Sequence, residues 1–208
     1  MIVPKKNLLD VLLFPKSFFK KISGRPSTLY PGIFLIGLTD MGLFLNKRLM
    51  VYFSGKDTGT LIFNISLMLV FIVLIGLMDI AFFSLPLIDI FKFFRVEKRV
   101  ENFNTQRIKL MKIYIVSHLP VVPVSIFLHL ILEAPYAAEG LVYAIVTIAL
   151  LLAVPIWHAY IIARGANVIY SFDKRLKDPV FVIVYLWTLL LGSALGYIIE
   201  NWLIVFLM

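Results

Sequence analysis

Apolar positions along this chain come in long runs separated by short charged segments. Thr58–Met78 carries no charge and, at 1.5 Å per helical residue, reaches about 30 Å, enough to cross a hydrocarbon core. The run continues through Asp79, Pro86 and Asp89 to Phe94 before the basic segment Lys92–Lys112. Leu29–Leu45, Ile113–Leu132, Leu141–Ala163 and Val180–Ile199 are further runs, with Asn201–Met208 as an apolar tail on the last. The pattern predicts an all-α, polytopic membrane helix bundle of five transmembrane helices, because a spanning segment must satisfy its own backbone. The spans fall at about 29–45, 58–78 with an extension to 94, 113–132, 141–163 and 180–199, within one domain, 29–208. The first is short, so Lys47 and Arg48 are expected to snorkel at its far interface.

Residues 1–28 have a different pattern. Leu8, Leu9, Leu12, Leu13, Phe18, Phe19 and Ile22 alternate with Lys5, Lys6, Lys16, Lys20 and Lys21. Pro15 suits the first turn of a helix, and Phe18 and Ile22 oppose Lys16 and Lys20. The expectation is a basic, amphipathic, interfacial helix on an anionic leaflet, with Lys16, Lys20, Lys21 and Arg25 at lipid headgroups. A flexible basic tail is the plainer alternative. Leu8–Phe14 contains Asp10, stops at Pro15 and lacks a small-residue cleavage site, so it does not read as a signal peptide.

Composition agrees with a membrane domain: 61% of residues are hydrophobic, against about 45–50% in soluble domains. Mean hydropathy is +0.96. The net charge of +8 lies between the apolar runs, where it marks topology and lipid contact and not nucleic acid. No cysteine is present, which excludes disulfides, thiolate nucleophiles and cysteine metal sites. With five spans and the N-terminus inside, inner segments hold 17 Lys and Arg residues and outer loops only Lys47, Arg48 and Lys56. That division follows the positive-inside rule and places the C-terminus outside. A sixth span made from Ile80–Phe94 would put the Lys92–Lys112 segment outside. Asp79–Phe94 is therefore expected to extend the second helix, with Ile80, Phe83, Leu87, Phe91 and Phe94 at helical spacing. Pro86 predicts a kink that lays it along the inner interface; a longer, tilted, unbent helix is the other reading.

Polar groups inside spans are the candidates for function, since a charge at mid-depth costs at least about 2.5 kcal/mol. Helical rise places Asp79, His118 and His158 in the inner leaflet, with Tyr114, Tyr160 and Arg164 at similar depth. A carboxylate with two imidazoles could bind a divalent metal or relay protons. No local pair such as HExxH supports a metal, and hydrogen bonds that tie helices together are the simpler role. Asp40 falls near the midplane and must be protonated or face a polar interior; transport or a helix-packing hydrogen bond would account for it. Asn64, His129, Glu133, Glu200 and Asn201 are ordinary boundary residues on the outer side. Gly192 and Gly196 form a GxxxG, a close-packing signature expected to act within the monomer. Trp157 and Trp202 suit an aromatic belt. No nucleophile elbow, phosphate loop, dinucleotide fingerprint or internal repeat occurs, so neither an enzyme nor a cofactor is expected.

Three passages resemble the Yip1 domain family, particularly its bacterial, five-span branch. They are LLFPKSFFKKISGRP at Leu12–Pro26, KIYIVSHLP at Lys112–Pro120, and PIWHAYIIARGANVIYSFDKRLKDPVFV at Pro155–Val182. The resemblance implies five helices, a cytoplasmic N-terminus and, from eukaryotic relatives, vesicle trafficking with GTPase partners. The family's Asp-Leu-Tyr-Gly-Pro type motif and long N-terminal domain have no counterpart here, so a GTPase partner is not carried over. The leading expectation is a non-enzymatic, multi-pass integral membrane protein that organises lipids or partner proteins at the cytoplasmic face, in the cytoplasmic membrane if prokaryotic. Its partners would be anionic membrane lipids, other proteins or further copies of itself. The alternative is a transporter or channel for a small solute or ion, using Asp40 and the Asp79, His118 and His158 cluster.

Overall fold

A computed structural model describes Asp10 and residues 12–42, 53–94, 102–132, 140–203 and 205. Among these residues there is no strand, and six α-helices follow one another. They are α1 (Lys16–Lys20), α2 (Tyr30–Asp40), α3 (Thr58–Phe94), α4 (Phe103–Leu132), α5 (Leu141–Tyr170) and α6 (Lys177–Ile198). A π-helical turn, Ile199–Leu203, continues α6. Four helical stretches, built on α3, α4, α5 and α6, are long and apolar enough to cross a membrane. Of the expected first span, α2 is 11 residues, about 16 Å, and ends in a turn at Met41 and Gly42 (φ 57°). Residues 43–45 lie outside the described residues.

The central element is α3. Asp57 caps it: its carboxylate accepts the Thr60 backbone N–H at 3.1 Å and the Thr60 hydroxyl at 2.6 Å. These hydrogen bonds hold the Asp57 carboxyl below its ordinary value. The helix then runs for 37 residues, about 55 Å. Met68, Ile72, Ile75, Asp79, Phe83, Leu87 and Phe91 recur at three- and four-residue spacing and are buried. The opposite face, with Phe63, Val70, Leu77 and Phe82, is exposed apolar surface of the kind a bilayer covers.

Asp79–Phe94 is part of one unbroken helix, and Phe83, Leu87 and Phe91 are fully buried in the main core. Pro86 does not end the helix. Its missing N–H deprives the Phe82 carbonyl of its helical partner, and the indole N–H of Trp187 on α6 donates to that carbonyl at 3.2 Å. Pro120 and Pro123 likewise lie inside a continuous α4.

Two glycines let α2 sit directly on α3. A Cβ on Gly37 would fall on the carbonyl oxygen of Ile72, and one on Gly76 on that of Ile33. Contact this close admits only hydrogen at both positions. The expected third and fourth spans are longer than their apolar runs. Helix α4 begins ten residues before Ile113, with Gln106, Leu110, Ile113 and Ser117 as a buried stripe. Helix α5 continues past Ala163 to Tyr170, where Ser171 (φ 50°) turns the chain and returns Phe172 to stack on Tyr170 (5.6 Å, 9°).

The basic N-terminal segment is fastened to this bundle. Helix α1 spans five residues, with Phe19 buried against Ile113 and Gly165. The Lys112 ammonium donates to the Ser23 carbonyl (2.6 Å) and hydroxyl (3.0 Å). The Trp157 indole donates to the Leu12 carbonyl at 2.9 Å, and Arg164 forms an ion pair with Asp10. Lys16, Lys20, Lys21 and Arg25 are exposed.

Candidate functional site

Asp79 and Phe83 are one turn apart on α3 and together grip Tyr114 of α4. The Tyr114 hydroxyl donates to Asp79 Oδ2 at 2.8 Å, while its ring stacks on Phe83 with centroids 3.8 Å apart and planes 12° apart. All three side chains are buried. Carboxylate and phenol therefore have a fixed geometry inside an apolar core, where an unmade hydrogen bond is costly.

One turn further along α4, the imidazoles meet. His118 and His158 have centroids 4.4 Å apart and an interplanar angle of 76°. His118 Nδ1 lies 2.8 Å from the Tyr114 carbonyl, which can only accept, so Nδ1 carries the proton. Ser117 Oγ is 2.6 Å from the same carbonyl and 2.8 Å from His158 Nε2. With the single Ser117 proton donated to the carbonyl, His158 Nε2–H donates to Ser117 Oγ. This assignment leaves His118 Nε2 and His158 Nδ1 as lone-pair acceptors.

The two histidines border two cavities, which share Asp40, His118 and His158 in their walls. The larger, about 320 Å³, continues past Thr39, Val122 and Ser125 between α2 and α4. The smaller, about 210 Å³, adds Asp79 and Tyr114 and is closed by Thr188, Gly192, Gly196 and Ile199. Asp40 Oδ2 is buried at the shared wall with no hydrogen-bond partner among the described residues. Asp40, Asp79, His118 and His158, picked out separately by depth, thus converge on one chamber.

One expectation is corrected here. Among the described residues Gly192 and Gly196 do not pack a helix within the monomer: a Cβ on either would meet none of them within 4 Å. The absent side chains leave room in the chamber instead. Nor do Asp79, His118 and His158 make a metal ligand set; among the described residues no three His, Asp or Glu side chains are placed to hold an ion. Asp79 is engaged by Tyr114, and the two imidazoles meet edge to face without aiming their nitrogens at one point.

The other boundary residues lie elsewhere. Tyr160 is exposed, Arg164 pairs with Asp10, and Asn201 donates to the Tyr197 carbonyl at 3.0 Å. Asn64 is buried and Glu200 exposed, neither lining the chamber; Glu133 and the His129 side chain lie outside the described residues. Ser117 and Thr188 were missed by depth alone. Ser117 could have been found from its position, three residues after Tyr114 and beside His118 on a helix.

The chain matches no known family model, no curated protein sequence and no solved structure.

Proposed function

We propose that this protein is a non-enzymatic transporter of a small cation, exchanged for protons at the chamber between α2, α3, α4, α5 and α6. The observation that carries this reading is that Asp40 and Asp79 face one cavity beside two imidazoles that each keep a free lone pair. Two carboxylates inside a membrane domain must be neutralised, and protons or a bound cation do so equally well. Occupancy by one then displaces the other. The combined cavities suit a solute of a few heavy atoms, with Ser125 and Thr188 as further polar contacts.

The same reading takes the full chain as five spans with the N-terminus inside. The partition of basic residues supports this orientation, and the apolar run Leu29–Leu45 of the sequence is taken as the fifth crossing. Membership of the Yip1-like five-span proteins is part of the proposal and rests on the three sequence passages.

The test is proton release. Purified protein in vesicles loaded with a pH-sensitive dye is challenged in turn with Li⁺, Na⁺ and K⁺, against protein-free vesicles as the baseline. At least one cation is expected to drive proton movement, and Asp40→Asn and Asp79→Asn each to abolish it. If wild-type vesicles move no protons with any of these cations, the transport reading fails.

A second reading, a protein that organises anionic lipids at its cytoplasmic face, is favoured by a separate observation. The basic N-terminal segment is held on the bundle by Asp10, Leu12 and Ser23, with its lysines outward.

A further inference from the structure

A second cavity, of about 550 Å³, lies apart from the chamber, between α1, α5 and the start of α6. Lys16 and Lys20, one turn apart on α1, form one wall, Arg164 and Asn167 of α5 the back, and Lys177 the far side. Asp178 also lines it, and Asp10 engages the outer edge of the Arg164 guanidinium, so four cations face two carboxylates. Two buried polar atoms here have no hydrogen-bond partner among the described residues: Arg164 Nε, a donor, and Asn167 Oδ1, an acceptor. A buried donor and acceptor left unpaired are costly, and a guest that satisfies both recovers that cost.

The cavity sits where the apolar surface ends. On α5 the exposed residues Ile148, Leu152, Ile156 and Tyr160 lead to it, one turn before Arg164. On α6 charge gives way to exposed Val182 and Leu186 within three turns of Lys177. A ligand here has its polar end among cations and its flank against the hydrocarbon-facing surface of Ile156 and Tyr160.

We infer that this cavity binds the headgroup of an anionic phospholipid, with its phosphate ester among Lys16, Lys20, Arg164 and Lys177 and a headgroup hydroxyl donating to Asn167. Basic pockets between helices at the membrane boundary take phosphate headgroups in this way. Arg164 supplies a planar fork for phosphate oxygens, and the lysines supply charge. Phosphoglycerol has both required features, an anionic phosphate and hydroxyl donors. The inference deepens the lipid-organising reading and is independent of transport through the chamber.

The test uses the full chain in detergent, with fluorescent phosphatidylglycerol and phosphatidylcholine as probes. Wild type is expected to prefer phosphatidylglycerol by about tenfold or more, and the triple variant Lys16→Gln, Lys20→Gln, Lys177→Gln to lose that preference. These three lysines are exposed, so the bundle is expected to stay folded. Asn167→Leu should weaken phosphatidylglycerol more than phosphatidic acid, which lacks the glycerol hydroxyls. Glycerol 3-phosphate separates the two sources of the same chemistry. Displacement of the lipid only at far higher concentration supports the membrane source, whereas equal competition assigns the site to a soluble phosphate ester and overturns the inference. A triple variant that keeps the wild-type preference also overturns it. Lys21→Gln with Arg25→Gln, outside the cavity, distinguishes the broader reading: loss of preference there alone would leave a general basic face and no pocket.

Discussion

Two pairs of glycines occur in this bundle, and they have opposite roles. Gly37 and Gly76 come from different helices, and each fills a gap of no size at all: an added Cβ would land on a backbone carbonyl of the other helix. Gly192 and Gly196 share one helix at the spacing associated with close packing, yet an added Cβ at either would touch none of the described residues. The first pair brings two backbones into contact and the second leaves a space beside carboxylates and imidazoles. A small residue in a membrane helix states that its surface is flat; what occupies the flat surface is decided by the neighbouring helices. Here one flat surface takes a helix and the other a cavity.

The comparison breaks most readily at the tight pair. Gly76→Leu is expected to destabilise the bundle by about 3 kcal/mol or more, because backbone on both sides cannot retreat as a side chain can. Thermal unfolding in detergent, with size-exclusion chromatography for folded protein, reads this directly. A variant with wild-type stability would show that the two helices separate without cost.

On the open side the polar cluster replaces helix contact. Tyr114→Phe removes the donor to buried Asp79 and is expected to cost about 1–3 kcal/mol in the same assay. Loss of cation-driven proton movement should accompany it. Helix α6 is held to α3 at the Phe82 carbonyl and not through its glycines. Trp187→Phe should therefore cost about 1 kcal/mol. If Trp187→Phe costs nothing while Gly192→Ala costs several times as much, the assignment of contact and cavity is reversed.

Gly192→Ala with Gly196→Ala sharpens the contrast. Stability is expected to change by only about 0.5 kcal/mol, within the range of substitutions that meet no neighbour. Proton exchange should nevertheless fall, since two methyl groups enter the chamber. The smallest effect expected lies outside both pairs, at the cap of α3. The Asp57 carboxyl is held below its ordinary value by Thr60. Its contribution to stability is complete at neutral pH, and it is lost as pH falls below the usual carboxylate range through the folded value. Asp57→Asn should remove that acid-side dependence and lower melting slightly at pH 7, as a melting series from pH 7 to pH 3 would read.

Hydropathy made the four long helices legible, since Thr58–Met78 and its counterparts cannot be satisfied in water. Helical rise was enough to put Asp79, His118 and His158 at one depth, and they do share a chamber. Depth says nothing of azimuth, however, so it could not separate these residues from Tyr160, which points outward at a similar level. The extra turns of α4 and α5 were missed because hydropathy fades at Arg107 and Arg164 while burial continues through Leu110 and Ala166. The Gly37 and Gly76 contact carries no local spacing, its partners being separated by a loop. The donor that takes up the carbonyl freed by Pro86, Trp187, lies about a hundred residues away and has no local signal in the sequence.

That the N-terminal segment is fastened by late residues has a consequence for biosynthesis. Asp10 and Arg164 are 154 positions apart, and Leu12 and Trp157 are 145. At about 5–20 residues per second, roughly 8–30 s pass between translation of Asp10 and of its partner. During the earlier part of that interval Lys112 is already available to Ser23, 89 positions on, but Trp157 and Arg164 are not yet made. Full closure of the N-terminal segment thus requires a chain in which α5 has already been made.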